Sequence, residues 1–183
     1  LKPIEFGTDV TNAFFLDSGL TYDSTATSTI TGLNHLEGEV VSVLADGSTH
    51  PDKTVSGGVI SLDRSASKVH VGFGFRSTVE TLRLEAGAED GIAQGKIKRI
   101  HGITVRFFNT VGAEMGPNTG SLDRLPFRDS SMAMDEAVPL FNGDKEISFP
   151  AGYENDARVV VRQSQPLPMT VLAIMRRSNT FDA

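Results

Sequence analysis

Apolar residues recur along this chain at the spacing of strands rather than helices. Val40-Val41-Ser42-Val43-Leu44-Ala45 is a nearly continuous apolar run, and a second run extends from Thr54 to Leu62. An Asp46-Gly47 corner lies between them, and a Gly57-Gly58 corner breaks the second run into two arms. Both dipeptides supply the positive φ that tight hairpin turns need, so Leu33 to Leu62 is predicted to be a strand meander. Val40 to Ala45 should bury both faces as a central strand. Thr25 to Thr31 alternates loosely around Ile30 and suits a half-exposed strand. Lys68 to Phe73 alternates cleanly, which points Val69, Val71 and Phe73 inward and His70 outward beside Lys68. Val79 to Leu84 reads as a further strand with Leu82 and Leu84 on one face.

The pattern changes across Glu85 to Gly95, which holds three glycines and little apolar content. Beyond it Ile97 to Phe108 forms a long strand with Ile103, Val105 and Phe107 on one face, and Gly102 marks a bulge or bend. Val111 to Gly120, with Pro117 and Asn118, is predicted as an exposed loop. Leu122 to Phe127 and Val138 to Phe141 are short edge pieces, and Glu146 to Pro150 and Ala157 to Arg162 are strands. Met169 to Met175 is apolar on both parities and reads as a buried central strand ended by Arg176-Arg177. No window of a dozen residues keeps a 3.6-residue period. The expected fold is therefore mainly β: a lead-in over 1–16, a small β-barrel-like module over 17–86, a linker over 87–95 and a β-sandwich-like module over 96–183. In the lead-in, Phe14-Phe15-Leu16 follows a helical turn opened by Thr8 or Asp9 and is expected to pack onto a neighbour.

Composition narrows the function classes. The 183 residues contain no cysteine, which removes disulfides, thiol nucleophiles and thiolate metal sites. No apolar run approaches the ~20 residues of a membrane helix, so a soluble chain is expected. The net charge of -6 is uneven, about -7 over residues 1–91 and about +1 over 92–183, which disfavours nucleic-acid binding by counterion release. The first residue is Leu1, and a piece of a longer polypeptide is expected.

Candidate chemistry is sparse. His35, His50, His70 and His101 lack the spacing of a local metal pair. Asp46-Gly47 lacks the alternating carboxylates and distal glutamate of a calcium loop and reads as a turn. Glu89-Asp90 and Asp135-Glu136 are carboxylate pairs in polar segments, read as solvated loop charges rather than acid–base pairs. There is no Gly-x-Ser-x-Gly elbow, and Gly72-Phe73-Gly74 and Gly116-Pro117 lack the strand–glycine–helix setting of a phosphate loop. Lys96, Lys98, Arg99 and Arg106 partly alternate on one strand without interleaved aromatics, which favours an interface strand over a nucleic-acid groove. No enzyme, no metal and no cofactor are expected.

Gly32-Leu33-Asn34-His35-Leu36-Glu37-Gly38, then Val41 to Gly47 and Val55-Ser56-Gly57-Gly58, resemble a recurrent block in the nozzle, or stabilisation, proteins of short-tailed bacteriophages and in related tail-hub proteins of phages and prophages. The likeness continues through Ala66 to Gly72, Thr81-Leu82, Lys98-Arg99-Ile100 and the strand to Phe108, Val138 to Glu146, Asp156 to Val159 and Gln165 to Met175. It spans most of residues 17–177. The resemblance implies the carboxy-terminal part of a structural tail protein, located in the virion and assembled in the host cytoplasm. Its implied partners are other copies in a ring and neighbouring tail proteins, with DNA only in passage and no membrane contact. It carries over no catalytic residue. Phe14, Phe15, Lys96, Lys98 and Arg106 are the candidate contact residues, and substituting Phe14 and Phe15 with serine is expected to weaken assembly. Two alternatives stay open: a receptor- or carbohydrate-binding β-module, for which Tyr22 and Tyr153 are the few stacking candidates, and a hydrolase, which activity against peptidoglycan or polysaccharide would reveal.

Overall fold

Strands dominate because β-branched and apolar residues alternate with turn formers throughout. The computed structural model describes residues 2–181 apart from 86, 89–90, 94, 134–135 and 150–151. It is 58% strand and 2% helix, the mainly β fold expected, and among the described residues no closed barrel is found. The chain divides into two compact units. Unit 1 takes residues 1–76, 126–140 and 164–168, and unit 2 takes 77–125, 141–163 and 169–183. These units are discontinuous, unlike the modules expected over 17–86 and 96–183. The first changeover falls at Arg76/Ser77, ahead of the glycine-rich stretch, and two later segments return to unit 1.

In unit 1, β1 (Asp17–Thr31), β2 (Val40–Ala45), β3 (Ser48–Thr54) and β4 (Val59–Phe73) form one antiparallel sheet in the order β1-β4-β2-β3. β2 lies inside the sheet, as its apolar run predicts. Ala45 pairs with Ser48 across the Asp46-Gly47 corner, whose φ values of 49° and 75° suit a primed hairpin turn. The Asp46 carboxylate accepts from the backbone N–H of Lys68 at 2.8 Å, which ties the hairpin tip to β4. A single 3-10 turn, Asn34–Leu36, plugs Leu36 into a core that includes Ile30, Val41, Val43, Val69 and Val71. Burying each such side chain contributes roughly 1.5–3 kcal/mol.

His70 departs from the expected outward position: it is 1% exposed. The cause is the lead-in, which covers the second face of the sheet. Glu5 and Phe14 pair their backbones at 2.7 and 2.9 Å, and the buried Phe14 ring stands edge-on to His70 at 5.4 Å. Gly19 makes room for that ring, since a Cβ there would lie 2.6 Å from Phe14 Cζ. Asp9 opens a single turn after Thr8: its Oδ1 accepts from the N–H of Thr11 at 2.8 Å and of Asn12 at 3.1 Å, and its carbonyl from the N–H of Asn12 at 3.3 Å.

Unit 2 contains β5 (Ser77–Glu80), β6 (Gly87–Ala88), β7 (Gly91–Ile92), β8 (Ile97–Thr110), β9 (Glu114–Asn118), β10 (Ser121–Arg124), β11 (Phe141–Ser148), β12 (Val160–Gln163) and β13 (Thr170–Phe181). They form antiparallel sheets in the orders β10-β9-β12-β5 and β11-β8-β13, with β6 and β7 paired. Ile103, Val105 and Phe107 are buried as the alternation predicts. The β8–β13 register slips opposite Gly102, where a bend was expected.

Four expectations give way in this unit. The predicted loop at 111–120 contains β9, because Met115 and Gly116 pair with β12 while Pro117 falls in a register shift that asks no N–H of it. β5 stops at Glu80, so Leu82 lies beyond the strand and is 87% exposed. β13 is an edge strand rather than a central one: among the described residues it pairs with β8 alone, and Leu172 and Met175 are exposed. Nor do Arg176-Arg177 end it, since pairing with β8 carries it on to Phe181. Both faces of an edge strand can read as apolar in sequence while one still meets solvent.

Candidate functional site

The residues expected at contacts are placed very differently. Phe14 is consumed in the core of unit 1. Phe15 is half-buried, with Phe6 edge-on at 5.0 Å. In unit 2, Lys98 is 1% exposed and its Nζ donates to the Asn155 carbonyl at 2.6 Å. Its backbone also pairs with Glu154 at 2.8 and 2.9 Å. A buried ammonium needs such an acceptor, so Lys98 staples the 154–155 segment to β8. Lys96 is half-buried. Arg106 is exposed and grips Asp144 on the neighbouring strand with two bonds of 2.7 and 2.8 Å, which holds the Asp144 carboxyl below its ordinary value. Of the five, Phe15, Lys96 and Arg106 keep surface to offer.

The carboxylate pairs singled out in the sequence fall largely outside the described residues: Glu89, Asp90 and Asp135 do, whereas Glu136 is exposed. The histidines are dispersed. His35 is exposed and bonds the Ser18 carbonyl at 2.8 Å, and His101 is exposed on β8. His50 is buried; its Nδ1 donates to the Pro51 carbonyl at 2.9 Å, so Nε2 accepts from the Asp63 N–H at 2.9 Å. Among the described residues no three His, Asp or Glu side chains gather as metal ligands.

His70 is buried in unit 1 with both ring nitrogens bonded. Nε2 donates to the Thr11 carbonyl at 2.9 Å, so in the neutral ring Nδ1 accepts from the Thr21 hydroxyl at 2.8 Å. A hydroxyl donating to a neutral imidazole is the geometry of a nucleophile–base pair. Here the ring is closed beneath Phe14, which gives it a structural role. Burial pushes the His70 imidazole below its ordinary value; the bond to Thr11 opposes this, while Lys2 and Lys68 add to it. The unfolded chain therefore takes up a proton near the ordinary value of 6.5, and the folded chain does so only at lower pH. Stability from this group is present above pH 6.5 and is lost as pH falls through the folded value. Thermal midpoints measured from pH 7.5 to 5 should show a steeper acid decline in the wild type than in His70→Gln; parallel profiles would contradict the assignment.

Among the described residues, two concave surfaces stand out. In unit 1 a cleft of about 340 Å³ is lined by Lys2, Pro3, Ile4, Leu16, Asp17 and Phe75, with Ile4 and Phe75 exposed. In unit 2 a cleft of about 540 Å³ is lined by Leu82, Arg83, Leu84, Glu85, Arg158 and Arg176. Its wall is built where the chain past β5 lies along the approach to β12. Thr81 N–H donates to the Val159 carbonyl at 2.9 Å, Val159 N–H to Thr81 Oγ1 at 3.0 Å, and Leu84 N–H to the Asp156 carbonyl at 3.0 Å. β13 brings in Arg176 from its own sheet. Sequence reasoning missed this grouping and read Arg176 only as a strand terminator. The signal available was three arginines near the ends of strands predicted from sequence, and their meeting depends on tertiary pairing.

No protein-family model matches the chain. No curated protein matches it either.

Proposed function

We propose that this chain is a structural component of a bacteriophage tail, contributing rigid β-units to a ring-shaped nozzle through which DNA passes. The observation that carries the reading is where the charge sits. Unit 1 holds 12 of the 23 acidic residues and 6 of the 17 basic ones, a net of -6, while unit 2 has 11 of each. Unit 1 also contains the Gly32–Gly58 block on which the tail resemblance rests. Several of its polar side chains are spent on the fold: Glu37 accepts from the N–H groups of Gly57 at 2.8 Å and Gly58 at 2.6 Å, and Asp46, His50 and His70 are tied down as described. Those backbone bonds hold the Glu37 carboxyl below its ordinary value, so it stays charged. A stiff acidic surface repels phosphates and lets duplex DNA slide. Ring closure requires heterologous contacts.

Electron microscopy of the whole protein tests this reading. Closed rings, and a matching ring at the tail of the virion, are the expected result; a monomer bearing a ligand would overturn it. Binding as a carbohydrate module is the second reading, and one observation favours it. Tyr153 is 61% exposed, with Phe181 edge-on at 5.5 Å and the Arg99 guanidinium over its ring at 5.4 Å. Glycan-array binding lost in Tyr153→Ala would move the assignment to that class.

A further inference from the structure

The three arginines of the unit 2 cleft differ in how they are neutralised. Arg83 pairs with Glu85 at 3.2 Å, and Arg158 with Glu80 at 2.9 Å and Asp156 at 3.4 Å. Arg176 is half-buried, and among the described residues its acceptors are neutral: Thr81 Oγ1 at 3.5 Å and the Leu82 carbonyl at 3.3 Å, both bonded from Nη1. A guanidinium offers five donors in a planar fork that matches an oxyanion. Long bonds to neutral oxygens are weak beside charge-assisted ones at roughly 2.7–2.9 Å. We propose that this cleft is a carboxylate-binding site in which the guanidinium of Arg176 holds the ligand's two oxygens.

Glu85 stands in the same wall, and Glu80 and Asp156 neutralise Arg158, so the cleft suits one negative charge better than two. That balance selects a carboxylate over a phosphate dianion. The carboxylate comes either from a small free acid or from an Asp or Glu side chain of a second copy, for which acidic unit 1 is the source. The proposal does not depend on the tail reading.

Thermal unfolding of the whole chain in acetate and in chloride at equal ionic strength tests the site. At an acetate concentration about tenfold above its dissociation constant, the wild-type midpoint should rise by about 3 °C or more over chloride, and Arg176→Gln should not show the rise. Comparison with the variant removes general salt effects, which act on both proteins alike. Arg176→Lys keeps the charge and loses the fork, so its response should fall at least about threefold; it carries the test if the glutamine variant does not fold. Sedimentation velocity separates the sources. Self-association that Arg176→Gln weakens and acetate reverses assigns the carboxylate to a second copy, whereas an arginine-dependent acetate response in a monomer assigns it to a free acid. Equal acetate responses in wild type and variants, with no change in association, would overturn the site.

Discussion

Phe14→Ala is expected to cost unit 1 about 3–5 kcal/mol, the range for emptying a buried aromatic site. The ring is 0% exposed, seals His70 and rests where Gly19 has no side chain. Its loss leaves a cavity beneath the lead-in and opens the Thr21–His70–Thr11 chain to water. Against a typical total of about 5–15 kcal/mol, that is a large share of the stability. Phe15→Ser removes only a half-buried ring beside Phe6 and should cost about 1 kcal/mol. Thermal unfolding of the two single variants separates them, and equal losses would refute the packing described for Phe14. One consequence bears on assembly. A double serine substitution at Phe14 and Phe15 would unsettle unit 1 itself, so a surface test belongs at exposed Ile4 and Phe6.

Gly116→Ala should damage unit 2 by about 3 kcal/mol or more, at the upper end of overpacking. A Cβ on Gly116 would stand 1.7 Å from the Ser121 carbonyl oxygen and 3.1 Å from Leu122 Cα. These are backbone atoms of the neighbouring strand β10, so no rotamer change relieves the clash and the β9–β10 pair must open. Gly120→Ala in the same hairpin is the control: its nearest neighbour would be Asn118 Oδ1 at 3.4 Å, and its cost should stay below about 0.5 kcal/mol. Hydrogen exchange should report loss of protection in β10 for the first variant alone. Retained protection and an unchanged midpoint in Gly116→Ala would contradict the close approach.

Legibility followed the range of the forces involved. The Asp46-Gly47 and Gly57-Gly58 corners were readable because a positive φ is a property of the residue itself. Alternation in Ile103, Val105 and Phe107 was readable because strand period 2 is local. His70 was not, since its parity pointed outward and only a segment some sixty residues away turned that face into core. The same limit hid the Arg83–Arg158–Arg176 cleft, whose members come from three separate stretches of chain. Leu82 and Met175 misled for a related reason: apolar character predicts strand and burial together, while pairing order decides which edge stays open.

The Leu33–Leu62 meander, the uneven charge and the absence of cysteine were determined by the sequence alone, because each rests on residue identity or on neighbours a few positions apart. Only the tertiary structure decided that Val10, Ala13, Phe14 and Leu16 of the lead-in are buried, that β13 is an edge, and that segments 126–140 and 164–168 belong with unit 1. Strand order and face coverage arise from contacts between distant residues, whose partners a one-dimensional pattern does not name.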